Sequence, residues 1–216
     1  MNHNKPNDRN NKKKQNISMD KWNNLMFHYK SGKQNISKNN STITNNNSNE
    51  SNITAVAGNW IAAVGTIISA IGSTPSTIFS QQTLTDFNVI GNILQAGGSA
   101  IGVETEEALL DVVGGQLSAI GNLAVVAGIL SENEQSGQLL EKQGTLLQVV
   151  GVGITINTEG ELTLLQTIAN TGNIIQFIGN VIQVFADTNT SEGEVLNAVG
   201  AWIQALGAVI TALATD

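Results

Sequence analysis

From Gly58 onward, apolar and polar positions recur every seven residues. The clearest copy is residues 195–215 (VLNAVGAWIQALGAVITALAT), where Gly200 and Gly207 stand one period apart and Ala214 follows at the next step. We label the glycine position a. It holds Gly58, Gly65 and Gly72; Gly91 and Gly98; Gly114, Gly121 and Gly128; Gly137, Gly144 and Gly151; Gly172 and Gly179; Gly200 and Gly207. Position d is aliphatic or small, as at Ile61, Leu94, Leu117, Leu140, Ile175 and Ile203. Position e is often Gln, Ser or Asn, as at Ser69, Gln95, Ser118, Gln148, Gln176, Gln183 and Gln204.

Seven residues are two helical turns, whereas a strand repeats every two, so the repeat predicts helices. Six are expected, near residues 53–72, 84–102, 106–130, 132–150, 160–187 and 192–214. The links between them are short and force antiparallel neighbours. The fold class expected is therefore all-α: a single up-and-down antiparallel bundle of about six Gly-rich helices, residues 53–216, behind a disordered tail, residues 1–52. Residues 151–157 (GVGITIN) have β-like side chains and read as a short extended crossover.

Glycine inside a helix costs about 1 kcal/mol relative to alanine. Fifteen of them in register must return something. The return expected is close approach, with a neighbouring backbone inside the usual spacing of roughly 8–10 Å. Helix starts are marked separately. Ser131 with Glu134, Thr158 with Glu161 and Ser191 with Glu194 each have capping-box spacing. Thr83 with Asp86 is a weaker version, and Thr105, Glu106 and Glu107 suit a first turn through the helix dipole.

Charge divides the chain. Residues 1–52 hold nine of the ten Lys and Arg against Asp8, Asp20 and Glu50, about +6. Residues 53–216 hold Lys142 alone against fourteen acids, about −13. An acidic body argues against a nucleic-acid ligand, which needs clustered basic side chains. Sixteen of the first 52 residues are Asn, which leaves too little apolar surface to offset ordering entropy. Only residues 19–29 (MDKWNNLMFHY) offer apolar anchors there. Lys12, Lys13 and Lys14 are not followed by an apolar stretch, so no secretory signal is read and a cytoplasmic protein is expected.

Little chemistry is available. The chain has no cysteine, and both histidines, His3 and His28, lie in the tail. The body thus lacks the commonest general base and the commonest zinc ligands. Glu107 and Asp111, with Glu104 nearby, read as a solvated first turn rather than a cation site. Ser99 and Ser118 have no base partner. Residues 97–102 (GGSAIG) resemble a phosphate loop only superficially, because they lack the preceding strand and the lysine. No catalytic residue, metal site or cofactor is predicted, and the protein is read as a non-enzyme.

Two features leave alternatives. The Gln, Asn, Ser and Thr at positions b and e are read as a narrow polar face of a tight bundle, the alternative being amide ladders between helices or subunits. Residues 112–130, 162–186 and 195–215 are uncharged for about twenty residues, long enough to cross a bilayer. Their amides, the lack of flanking Lys or Arg, and the absence of aromatic belts argue against that.

The motif series WIAAVGTIISAIGSTP, IGNILQAGGSAIG, AIGNLAVVAGIL, LLQVVG and AWIQALGAVITAL resembles an uncharacterised repetitive protein family of Bacillus-type spore-forming bacteria. The likeness covers residues 55–214. It implies a bacterial source and a repetitive helical body, and brings no activity or functional residue. The Asn-rich tail departs from that family's short start. The function expected is structural or interaction work, with self-association into a homo-oligomer through Ala, Gly and aliphatic faces. Trp60 and Trp202, both at position c, are read as core packing, the alternative being that they are contacts for a partner copy. Membrane action by an inserting or pore-forming bundle is the rival reading.

Overall fold

The structure is a computed structural model that describes residues 52–104, 106, 108–157 and 160–215. These belong to the unit Glu50–Asp216. Residues 1–51 of the expected tail, Thr105, Glu107 and Thr158 lie outside the described residues, whereas Asn52, placed in the tail by sequence, opens the first helix.

Six helices follow in order: α1 (Asn52–Gly72), α2 (Gln81–Val103), α3 (Leu109–Ile129), α4 (Glu134–Ile154), α5 (Leu164–Phe185) and α6 (Ser191–Leu213). The described residues contain no strand. The helices run up and down, as the repeat predicts. They close on themselves, because α2 packs on α3 and α4 on α5, while α6 returns to α1.

The glycine rows build three helix pairs. A β-carbon on Gly65 would stand 2.7 Å from the Gly91 carbonyl oxygen, and one on Gly91 2.7 Å from that of Gly65. The same reciprocity joins Gly58 with Gly98 in α1 and α2. It joins Gly114 with Gly151, Gly121 with Gly144, and Gly128 with Gly137 in α3 and α4. In α5 and α6 it joins Gly172 with Gly207 and Gly179 with Gly200. At each crossing backbone meets backbone, which only residues without a side chain allow. The body is thus three antiparallel hairpins of helices arranged in a ring.

Alanine forms the seam that closes the ring. Ala63 of α1 packs on Ala208 and Ala212 of α6, and Ala70 on Ala201 and Ala205. Large apolar side chains are nearly absent from the interior. Leu84 and Val125 are the only ones among the described residues that join the alanines in the buried set. The largest fully buried side chain is an asparagine, Asn180, at 0% exposure.

Helix starts differ from expectation. Asn133, not Ser131, caps α4, its side chain accepting from the Ser136 N–H at 2.9 Å. Thr190, not Ser191, caps α6 by accepting from the Gly193 N–H at 3.0 Å. Thr163 caps α5 in a full capping box with Gln166, five residues beyond Thr158. Ser80 caps α2, three residues before Thr83. The extended crossover is also corrected, because residues 151–154 continue α4. Gly151 must reach Gly114 to complete its row, and that packing outweighs local β-propensity.

Candidate functional site: a polar lumen

Glycine at position a faces the partner helix. At 100° per residue, position e lies about 40° from a on the helix surface and position b about 100° from it, whereas c and g point away. Positions b and e therefore turn to the centre of the ring. They carry Asn59, Thr66, Asn92, Ser99, Asn122, Asn173 and Asn180 at b, and Ser69, Gln95, Ser118, Gln148, Gln176, Gln183, Gln204 and Thr211 at e. All of these line one of two interior cavities. The reading of these residues as a narrow outer polar face is overturned. They are an internal ladder, since the side of a helix beside its glycines is the side its neighbours cover.

The outer positions have the opposite character. Trp60, Val64, Ile90, Ile93, Ile120, Leu123, Leu146, Val150, Ile174, Ile178, Val199, Trp202 and Leu206, at c and g, are all more than a third exposed. Among the described residues, 28 large apolar side chains are exposed to this degree. The body is apolar outside and polar inside, the reverse of a water-soluble bundle, whose apolar stripe faces its core.

The first cavity, about 460 Å³, opens towards the end where α2 meets α3 and α4 meets α5. Asn59, Asn122, Asn173, Asn180 and Gln204 line its walls, with Glu106 and Asp111 at its mouth. Partial burial, and then the negative charge of Asp111, push the Glu106 carboxyl above its ordinary range. The second cavity, about 390 Å³, opens at the other end, lined by Asn88, Asn92, Glu132, Glu134, Glu141 and Lys142. Gln148 and Gln204 border both cavities.

Hydrogen bonds tie the ladder together. Gln204 donates from Nε2 to Gln95 Oε1 at 3.1 Å and to Gln148 Oε1 at 3.2 Å. Its own Oε1 accepts from Gln183 Nε2 at 2.9 Å. Nearer the first mouth, Thr211 donates to Asn173 Oδ1 at 3.2 Å and accepts from Gln176 Nε2 at 3.2 Å. Among the described residues, two buried side-chain atoms have no protein partner: Oδ1 of Asn122 and Nδ2 of Asn180, in residues 3% and 0% exposed. Both residues line the first cavity. A buried polar atom without a partner is costly, so this lumen is built for polar contents.

The residues singled out for chemistry fall as follows. Ser99 and Ser118 line the first cavity. The described residues contain no histidine to activate them. Residues 97–102 are helical and form no phosphate loop, and Gly98 among them packs on Gly58. No group of three potential metal ligands occurs among the described residues. Trp60 and Trp202 face outward, 39% and 45% exposed, and Trp202 Nε1 donates to Thr74 Oγ1 at 3.0 Å.

Three helices are long and apolar enough to cross a membrane: Asn52–Gly72, Leu109–Ile129 and Ser191–Leu213. This corrects the expectation in one place, with α1 standing where α5 was expected. Gln166, Asn170, Asn173, Gln176, Asn180 and Gln183 lower the hydropathy of α5. No curated protein and no solved structure matched the chain. A family model described as "Family of unknown function (DUF6944)" matches residues 53–212, which is nearly all of the helical body, and the chain belongs to that family.

Proposed function

We propose that the helical body resides in a membrane as a six-helix ring around a polar lumen. The observation that carries this reading is the inverted polarity: amides within, and Leu, Ile, Val and Trp without. In water, each large aliphatic side chain left exposed forgoes about 1.5–3 kcal/mol of burial. In lipid that loss disappears, and interhelical amide bonds with small-residue contacts hold the helices together. Apart from Gln116, the amides that argued against spanning no longer do so, because they line the lumen.

Helix length supports the same reading. The six helices have 21 to 23 residues, about 31–35 Å at 1.5 Å per residue, matching a hydrocarbon core of about 30 Å. Helix charges cluster near the starts. The deepest are Glu141 and Lys142 of α4, about 10–12 Å from its beginning, where Glu141 borders the lumen and a lysine stem reaches the interface. The basic residues before α1 favour a cytoplasmic N-terminus.

Self-association through small residues has less support. The glycine rows and the Ala63 and Ala70 seam are engaged within one chain. Flotation of the purified full-length chain with phosphatidylcholine–phosphatidylglycerol vesicles tests the proposal. Co-flotation that survives an alkaline carbonate wash is expected, with a blue shift of Trp60 and Trp202 emission in a Trp22→Phe background. A chain left at the bottom of the gradient with unchanged emission overturns it. Concentration-dependent soluble oligomers in that case would instead support self-association.

A further inference from the structure

We infer that Gln95, Gln148 and Gln204 form a closure that divides the lumen and bars ions from it. The inference rests on the membrane reading and adds what the lumen excludes. The three residues occupy the same place in the three hairpins: position e, four residues after Gly91, Gly144 and Gly200, on the second helix of each pair. The ring therefore brings them to one level from three directions. There they bond across the axis, with Gln204 as the hub, at 3.1 Å to Gln95 and 3.2 Å to Gln148. They are 4%, 5% and 8% exposed for Gln95, Gln148 and Gln204 respectively.

The cavities confirm that this level is a division. Gln148 and Gln204 border both the 460 Å³ and the 390 Å³ spaces, so the amides form the wall between them. The hub is turned in on its own amides. Both protons of Gln204 Nε2 are engaged, and its Oε1 holds Gln183. An ion must shed water to pass a constriction and needs fixed groups in exchange. Here Gln204 is committed to its three amide partners, and none of the groups at this level is charged. Above the wall, the unpartnered Asn122 Oδ1 and Asn180 Nδ2 offer one acceptor and one donor to the first cavity. That pairing suits water and small uncharged solutes with both kinds of group. The first cavity thus suits neutral polar molecules, on one side of a shut amide gate.

Two measurements on the full chain in planar bilayers and vesicles test this. Wild-type protein should carry no potassium current above bare bilayer, and Gln204→Ala should raise it about tenfold or more by removing the hub. Equal currents from the two, with both retained by vesicles after the carbonate wash, overturn the closure alone. A chain that does not stay with vesicles removes the membrane reading, and the closure with it. The second measurement needs no change at the gate. The chain has no cysteine, so Ser99→Cys in the first cavity and Ser69→Cys in the second are unique thiols. A membrane-impermeant thiol reagent should reach them from opposite faces. Labelling of both from one face would show an open lumen and overturn the inference.

Discussion

Gly121 and Gly144 face each other across α3 and α4 so closely that each carbonyl oxygen lies where the other's side chain would begin. The distances are 2.6 Å from a β-carbon on Gly121 to the Gly144 oxygen and 2.5 Å in reverse. Neither oxygen can move without moving its helix.

Gly121→Ala should therefore destabilise the body although alanine is the better helix former. Propensity returns about 1 kcal/mol, while forcing two backbones apart costs typically 1–3 kcal/mol or more at one contact. Gly121→Leu should be worse. Gly97 supplies the contrast, since a β-carbon there meets nothing within 4 Å. Gly97→Ala should raise the midpoint of thermal unfolding, followed by circular dichroism, by the propensity gain alone. If Gly121→Ala and Gly97→Ala shifted it in the same direction, the packing role of the rows would be lost.

The heptad of glycine was enough to place the six helices and to foresee their close pairing, because no other residue tolerates such contact. It did not show where the amides point. Read one position at a time, Gln148 or Asn180 is simply a polar residue in an apolar helix. Read on the helix surface, each lies beside a glycine that must face a neighbour, and that adjacency was the missed signal. Unlike the rows, the caps were not legible. Several Ser, Thr and Asn residues stand near the starts of α2, α4, α5 and α6, and spacing alone does not choose among them, while α3 starts at Ala108 with no side-chain cap.

Thr190 and Ser191 make that choice testable. Both are hydroxyl residues at the start of α6, but Thr190 Oγ1 accepts from the Gly193 N–H at 3.0 Å, whereas Ser191 Oγ donates to the exposed Glu192 carboxylate. Thr190→Ala should cost about 1 kcal/mol and Ser191→Ala a few tenths at most. Chemical denaturation of the two variants gives the comparison directly. A larger loss for Ser191→Ala would place the cap where the sequence alone suggested it.

The α5–α6 link should contribute to acid sensitivity. Asp187 Oδ1 accepts from the Asn189 side-chain N–H at 2.9 Å and from its backbone N–H at 3.2 Å. Those bonds, with a lesser contribution from the Lys142 charge, hold the carboxyl below its usual range. A depressed carboxyl stabilises the fold above its unfolded value of about 3.9, and that stabilisation is lost as pH falls through the folded value. Asn189→Ala removes the stronger bond. The fall in unfolding temperature from about pH 6 to pH 3 should then be shallower than in the wild type. Identical acid limbs would mean that the link carries no such coupling.

The amide hub predicts a distinctive pattern of non-additivity. Gln204→Leu fills a similar volume but deprives the Gln95 and Gln148 carbonyls of their donor and the Gln183 amide of one of its two acceptors. Each buried group left unpaired costs about 1–3 kcal/mol, so this one change should be among the most damaging in the body. Gln95→Leu removes only one of the hub's two acceptors and should cost less. Replacing Gln95, Gln148 and Gln204 together by leucine removes donors and acceptors at once, which can be nearly neutral. The triple variant should therefore be no less stable than Gln204→Leu alone, and well above the sum of the three single losses. Residues that act through separate bonds to solvent would add independently, and a mutant cycle measured by denaturation separates the two cases. Additive losses would mean that the three glutamines do not meet, and the wall between the cavities would have to be built from something else.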